Sequence, residues 1–281
     1  MDIKILKQGL FTGERALYNS KSLRIYDSTF ADGESPLKES SDIEIYGSIF
    51  KWIYPLWYCK DIKTENSVLL ETARSGIWYT ENITMTDCVI EAPKTFRRSS
   101  GINLKRCNLP HASETMWSCR DIILDEVNTV GDYFGMNSEN ITADRLVIDG
   151  NYAFDGGKNI EIKNSKLISK DAFWNCENVT VYDSVIIGEY LGWNSKNVTF
   201  VNCTLESNQG LCYMEGVKLV NCKLLNTDLA FEYSTVDAEV TTEIDSVKNP
   251  ISGRIHAEAI REIIMEKTLV DPEKTKITTE R

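Results

Sequence analysis

The residues able to do chemistry in this 281-residue chain recur at one position of a repeat of about 19 residues. Trp57, Trp78, Trp117, Trp174 and Trp193, five of the six tryptophans, share that position with Arg97 and Asp155. Three and four residues earlier in each repeat stand Asp132, Tyr133, Lys170, Asp171, Glu189 and Tyr190. Aromatic rings among cations and carboxylates suit an elongated sugar chain. Ring faces pack on pyranose CH groups, and charges bind hydroxyls or uronates. If the face is catalytic, Asp155, Asp171 and Glu189 are the candidate carboxylates, with Arg97 or Lys170 as the base or uronate clamp of a lyase. They come from successive repeats, offset by roughly 4.8 Å each if the repeats stack. Neighbouring carboxylates would then approach the ~5 Å of retaining hydrolysis, and alternate ones the ~6.5–9.5 Å of inversion. Any stacked solenoid offers both distances, so the spacing alone does not select catalysis. The other reading makes the tryptophans a stacked structural column and the charges a solvated surface.

The repeat that positions these residues is marked by a lead apolar residue at Leu23, Ile43, Ile62, Ile83, Ile102, Ile122, Ile141, Ile160, Val179, Val198, Val217, Val236 and Ile255. Successive leads are 19 to 21 residues apart. Such a period over nearly the whole chain implies a solenoid. A second apolar residue follows two places on, the strand period. A turn former, a small Ser or Cys and a large apolar residue then follow. No useful length shows apolar residues at helical spacing. The expectation is an all-β, right-handed single-stranded parallel β-helix of about 13 coils. Left-handed β-helices use six-residue repeats, and 19 is not a multiple of six.

The position six before most leads is apolar: Leu37, Leu56, Ile77, Phe96, Met116, Phe154, Phe173 and Leu211. Neighbours in a strand face opposite ways. This column should therefore line the core, and the tryptophan column beside it should lie at least partly outside. Asn and Asp precede most leads, which predicts an amide ladder between coils and accounts for the Asn-x-Thr triplets. Seven cysteines share two columns with Ser or Thr (Cys88, Cys107, Cys203 and Cys222; Cys59, Cys119 and Cys176), leaving Cys212 apart. They are expected to be free thiols buried as small apolar groups.

The net charge of −11 argues against nucleic acid and anionic membranes as partners. No apolar run spans a bilayer, and the first ten residues lack the pattern of a secretory signal, so the expected location is cytoplasmic. With two histidines and no CxxC, no metal site is expected. No GxGxxG, P-loop or GxSxG is present, so no cofactor is implied. Residues 1–22 are read as an N-terminal cap and first partial coil, 23–265 as the β-helix and 266–281 as a tail that frays from Asp271 onward. Residues 255–267 are read as strand, the alternative being a helix with Ala259, Ile260, Ile263 and Ile264 on one face.

The chain resembles a bacterial family known as domain of unknown function 3737. The resemblance covers essentially residues 9–265 and rests on Thr12-Gly13-Glu14-Arg15, Gly33-Glu34-Ser35-Pro36-Leu37-Lys38, Tyr54-Pro55-Leu56-Trp57-Tyr58-Cys59, Ala92-Pro93-Lys94-Thr95-Phe96-Arg97, Gly131-Asp132-Tyr133-Phe134, Ser169-Lys170-Asp171-Ala172-Phe173-Trp174 and Gly188-Glu189-Tyr190-Leu191-Gly192-Trp193. It implies a single-domain right-handed β-helix and assigns no catalytic residue. More widely the chain is similar to the pectin-lyase-like superfamily, many of whose members cleave or bind polysaccharides. Fold does not fix function. The expectation is an oligosaccharide-binding β-helix, a hydrolase or lyase if it is an enzyme. The alternative is a scaffold that binds protein, and homo-oligomers are left open.

Overall fold

The computed structural model describes residues 3–280. The chain is an all-β parallel β-helix of about 15 coils, divided into two compact units, Met1–Thr142 and Ala143–Arg281.

In the N-terminal unit each coil opens with a six-residue strand, the first being Lys21–Tyr26 and the last within the unit Arg120–Asp125. The lead residues stand directly over one another: Leu23 pairs with Ile43, Ile43 with Ile62, Ile62 with Ile83, Ile83 with Ile102 and Ile102 with Ile122. A second parallel ladder of short strands stacks Phe11, Phe30, Phe50, Leu69 and Ile90. Stacked Phe30 and Phe50 lie 4.5 Å apart. Both ladders point inward, and their lead and large apolar residues are buried, apart from Phe11 in the first rung, which is half-buried. Burial of the order of 1.5–3 kcal/mol per large side chain drives the coil closed.

The C-terminal unit repeats the plan: Ile160, Val179, Val198, Val217 and Val236 are successive register partners. Val236 then pairs with Gly253, not Ile255. That coil is two residues shorter than the one before it, so Ile255 takes the second inward position, opposite Ala238. Residues Ser252–Ile264 are strand, which decides against the helical alternative. Beyond Asp271 the expected fraying does not occur: Thr275–Thr279 forms a strand paired with Gly253–Ala257. At the other end, Lys4–Lys7 pairs with Leu23–Tyr26 as a further rung rather than covering the end. Its inward lead position is occupied by Lys4, a charge that blunts an open sheet edge.

The turns explain the Asn and Asp columns. Asp61, Asn82, Asn159, Asn178 and Asn197 hold φ of 53° to 59°, a left-handed conformation that Asn and Asp tolerate better than other side chains. The amides form the expected ladder, Asn82 donating to Asp61 at 2.9 Å and Asn197 to Asn178 at 3.1 Å. The small-residue columns tie coils together. Ser48 Oγ accepts from the Ser28 amide at 3.1 Å and donates to the Tyr46 carbonyl at 2.9 Å. Cysteine replaces serine there as a weak donor, as in Cys119 Sγ to the Phe96 carbonyl at 3.1 Å. All eight thiols are free and buried. Burial pushes Cys59, Cys119 and Cys212 up to about 12. Among the described residues no helix is long and apolar enough to cross a membrane.

Candidate functional site

The tryptophan column follows from a local turn. In several coils the apolar residue before it, such as Phe96, Met116 or Phe173, is buried at a left-handed φ of 57° to 58°. The bend swings the next side chain (Arg97, Trp117 or Trp174) outward, where it is half-buried. Trp57, Trp78 and Trp193 are half-buried too. At the end of the column Cys212 and Phe231 depart from this and are fully buried. The Cys212 thiol turns back under the coil toward the carbonyls of Gly210 and Leu229, each at 3.4 Å.

In the N-terminal unit the column is occupied by itself. The rings of Trp57 and Trp78 stack at 5.1 Å and 8°. The Arg97 guanidinium then lies between Trp78 and Trp117, 4.8 and 5.0 Å from their centroids. Tyr54 packs on Trp57 at 4.4 Å, and Tyr133 lies 6.4 Å from Trp117. The Nε1 of Trp57 donates to the Ser75 carbonyl at 2.6 Å, and that of Trp78 to Lys94 at 2.8 Å. Arg97 also reaches Glu114 at 3.2 Å, which takes Lys94 at 3.2 Å. Both faces of Trp78 and its polar edge are therefore used within the coil stack. The exposed Asp132 lends its backbone carbonyl to the Glu114 amide at 2.9 Å.

In the C-terminal unit the structure brings Asp171 within electrostatic reach of the other two nominated carboxylates, Asp155 and Glu189. Asp171 is 6% exposed, and among the described residues no side-chain hydrogen bond or ion pair compensates its carboxyl. Burial raises its pKa, Lys170 opposes that, and the charges of Glu189 and Asp155 add to it. Asp155 accepts from Asn175 Nδ2 at 2.9 Å. Lys170 Nζ lies 3.5 Å from Glu189 and 5.1 Å from the Tyr190 centroid. Tyr190 meets Trp193 edge-on at 5.1 Å, and Trp193 Nε1 donates to the Gln209 carbonyl at 2.6 Å. Trp174 breaks the pattern: its Nε1 is buried with no acceptor among the described residues, although the ring lies 6.3 Å from Tyr152. Gly188, at φ 156°, keeps this region compact, since a Cβ there would meet the Ser169 carbonyl oxygen at 2.0 Å.

The sixth tryptophan is the one the repeat does not include. Trp52 is 42% exposed, with no ring stacked on it among the described residues, and lines a cavity of about 470 Å³ with Ile53, Glu71, Thr72, Arg74 and Pro93. It lies outside the tryptophan column, so periodicity gave no signal; its being the odd one out was the available clue. Among the described residues no group of three or more His, Cys, Asp or Glu could hold a metal ion.

Coils of this kind, with an inward apolar ladder and a polar, aromatic outer column, define a parallel β-helix protein. The chain matches the family described as "Protein of unknown function (DUF3737)" over residues 4–278 and belongs to it. No curated protein matches the sequence. Among solved structures, it is similar to a double mutant of the periplasmic alginate epimerase AlgG, at 10% identity and a TM-score of 0.36, covering 98% of this chain and 76% of that one. It is also similar to the A-module of the mannuronan C-5 epimerase AlgE4 of Azotobacter vinelandii, at 10% identity and a TM-score of 0.30, covering 98% and 88%. The pentapeptide-repeat protein HetL of Nostoc sp. strain PCC 7120 matches at 10% identity and a TM-score of 0.31, covering 80% and 90%.

Proposed function

We propose that this β-helix binds an oligosaccharide on its C-terminal unit, around Asp171, Lys170, Glu189, Tyr190 and Trp193. The observation that carries the reading is Asp171. A carboxyl on a residue only 6% exposed, with the charge of Lys170 but no hydrogen bond among the described residues to offset burial, is penalised as an anion, and groups shifted in this way cluster at sites whose pKa serves a task. With its pKa raised, the carboxyl holds its proton to higher pH and can donate it to a hydroxyl or glycosidic oxygen of a bound sugar. Glu189 supplies an acceptor for sugar hydroxyls, Lys170 a cation for a uronate, and the exposed edges of Tyr190 and Trp193 an apolar contact. Eight buried free thiols fit a reducing, cytoplasmic setting. The test is a panel of neutral and uronate oligosaccharides followed by intrinsic tryptophan emission, on the wild type and on Asp171→Asn and Lys170→Ala. Binding by at least one class, weakened in both variants, is the expected result. No response across the panel overturns the reading.

A specific observation favours a second reading, a scaffold that binds protein. The ring faces between Trp57 and Trp117 are spent on one another and on Arg97, which is what a structural column requires. Capture of a defined protein by the wild type, unaffected by Asp171→Asn, would favour it.

A further inference from the structure

A groove separate from the tryptophan column runs along the corner of the N-terminal unit where the irregular segment turns into the six-residue strand. Its volume is about 350 Å³, enough for a small sugar. The floor is made by the small-residue column. Ser99 and Cys119 are buried there, with their polar atoms turned inward to the carbonyls of Ile77 and Phe96 at 3.2 and 3.1 Å. Small floor residues between larger walls make the trough.

The walls carry two guanidinium groups. Arg98 is exposed, set by a left-handed backbone at φ 50°, and makes no ion pair or side-chain hydrogen bond within the described residues. Arg120 stands on the other wall one coil on, as the register partner of Ser100. Among the described residues its only ion pair is with Asp121 at 3.7 Å, with both side chains more than half exposed. Such a pair holds an arginine weakly. At the two ends of the groove lie carboxylates, Glu81 and Glu139, and at the Glu81 end the Tyr79 ring, backed by Tyr58 at 4.8 Å.

One planar carboxylate is satisfied by one forked guanidinium. Two guanidiniums from opposite walls, roughly 4.8 Å apart along the axis, suit an anion with oxygens in three dimensions and a charge near −2. A phosphate monoester has both. The flanking carboxylates can only accept, so they favour hydroxyl donors on either side of the anion and repel a second anion. In a chain of net charge −11 the groove lining is balanced, with Arg98 and Arg120 against Glu81 and Glu139. We propose that the groove binds the phosphate group of a small phosphorylated sugar, with Arg98 and Arg120 clamping the phosphate and Glu81 and Glu139 reading sugar hydroxyls.

The test is titration calorimetry at low ionic strength with glucose 6-phosphate as the probe, against glucose, inorganic phosphate, glucose 6-sulfate and glucuronate. Glucose 6-phosphate should bind best, phosphate more weakly and glucose undetectably. Arg98→Gln and Arg120→Gln should each weaken it at least tenfold, and the double variant should abolish it. Affinity should fall as the pH drops below about 6, where the phosphate loses its second charge. Absence of glucose 6-phosphate binding, or binding that survives the double variant, overturns the proposal. Tighter binding of glucuronate or of the sulfate that is lost in the double variant overturns the assignment to phosphate. The site shares no residue with the Asp171 patch, so either can fail without the other.

Discussion

Replacing Trp78 by alanine tests whether the tryptophan column holds the coils together. The side chain makes three separable contacts: the ring of Trp57 at 5.1 Å, the Arg97 guanidinium at 4.8 Å and the carbonyl of Lys94 at 2.8 Å. The stack is worth about 0.5–1.5 kcal/mol, the cation on the ring face about 0.5–1 and the hydrogen bond about 0.5–1.5. Together they give about 3 kcal/mol, at the low end of the ~3–5 kcal/mol known for removing a well-packed tryptophan. With a urea m-value near 3 kcal/mol/M, the midpoint should fall by about 1 M. Trp78→Phe keeps a stacked ring and loses the hydrogen bond, so it should cost about 1 kcal/mol. A double-mutant cycle of Trp78→Ala with Arg97→Gln should return a coupling of about 0.5–1 kcal/mol. The reasoning is refuted if Trp78→Ala costs under about 1 kcal/mol with no coupling to Arg97. It is equally refuted if glycan binding disappears while the urea midpoint stays put.

Asp171→Asn should stabilise the protein at neutral pH. The folded-state pKa is raised, so burial costs nothing below the unfolded value near 3.9 and progressively more as the pH climbs from there to the folded value. The advantage of the variant in urea midpoint should therefore be largest at pH 7 and vanish below about pH 4; an advantage independent of pH would contradict the assignment. Ellman's reagent should find no reactive thiol in the native protein and eight after unfolding, because every cysteine is buried. Gly188→Ala would force a Cβ to within 2.0 Å of the Ser169 carbonyl oxygen. It should cost more than about 2 kcal/mol, a fall in Tm of at least about 5 °C in a thermal melt. Trp52→Phe should remove a larger share of acrylamide-quenchable fluorescence than any other single tryptophan substitution, since the remaining five are half-buried.

What could be read from the sequence was whatever depends on period. Leads such as Ile43, Ile62, Val179 and Val198 meet their neighbours as register partners because a stacked coil turns a sequence interval into a contact. The same arithmetic failed where the interval changes. Between Val236 and Gly253 the coil loses two residues, and the strand spacing let Ile255 pass for a lead. The rung at Lys4–Lys7 was hidden because a lysine fills its inward position. The tryptophans were legible as half-exposed from the charged residues sharing their column, but their mutual stacking depends on ring orientation, which residue type does not specify. Asp171 and Glu189 look alike in sequence, three and four places before their tryptophans. Only the packing around each makes one 6% exposed and the other a surface partner of Lys170.

Val179, Val198 and Val217 follow at intervals of 19 residues, and the three strand residues after each are register partners in turn. The segment from 179 to 197 is thus a cassette. Cutting it out would present the strand around Val198 to the strand around Ile160, and each amide would meet the kind of carbonyl it meets now. Loss of one residue from the same strand would instead turn its valines to solvent and its polar side chains inward. Large indels of one whole turn are therefore quieter than the smallest ones, and such a chain can drift in length by duplication or excision while its cross-section stays the same.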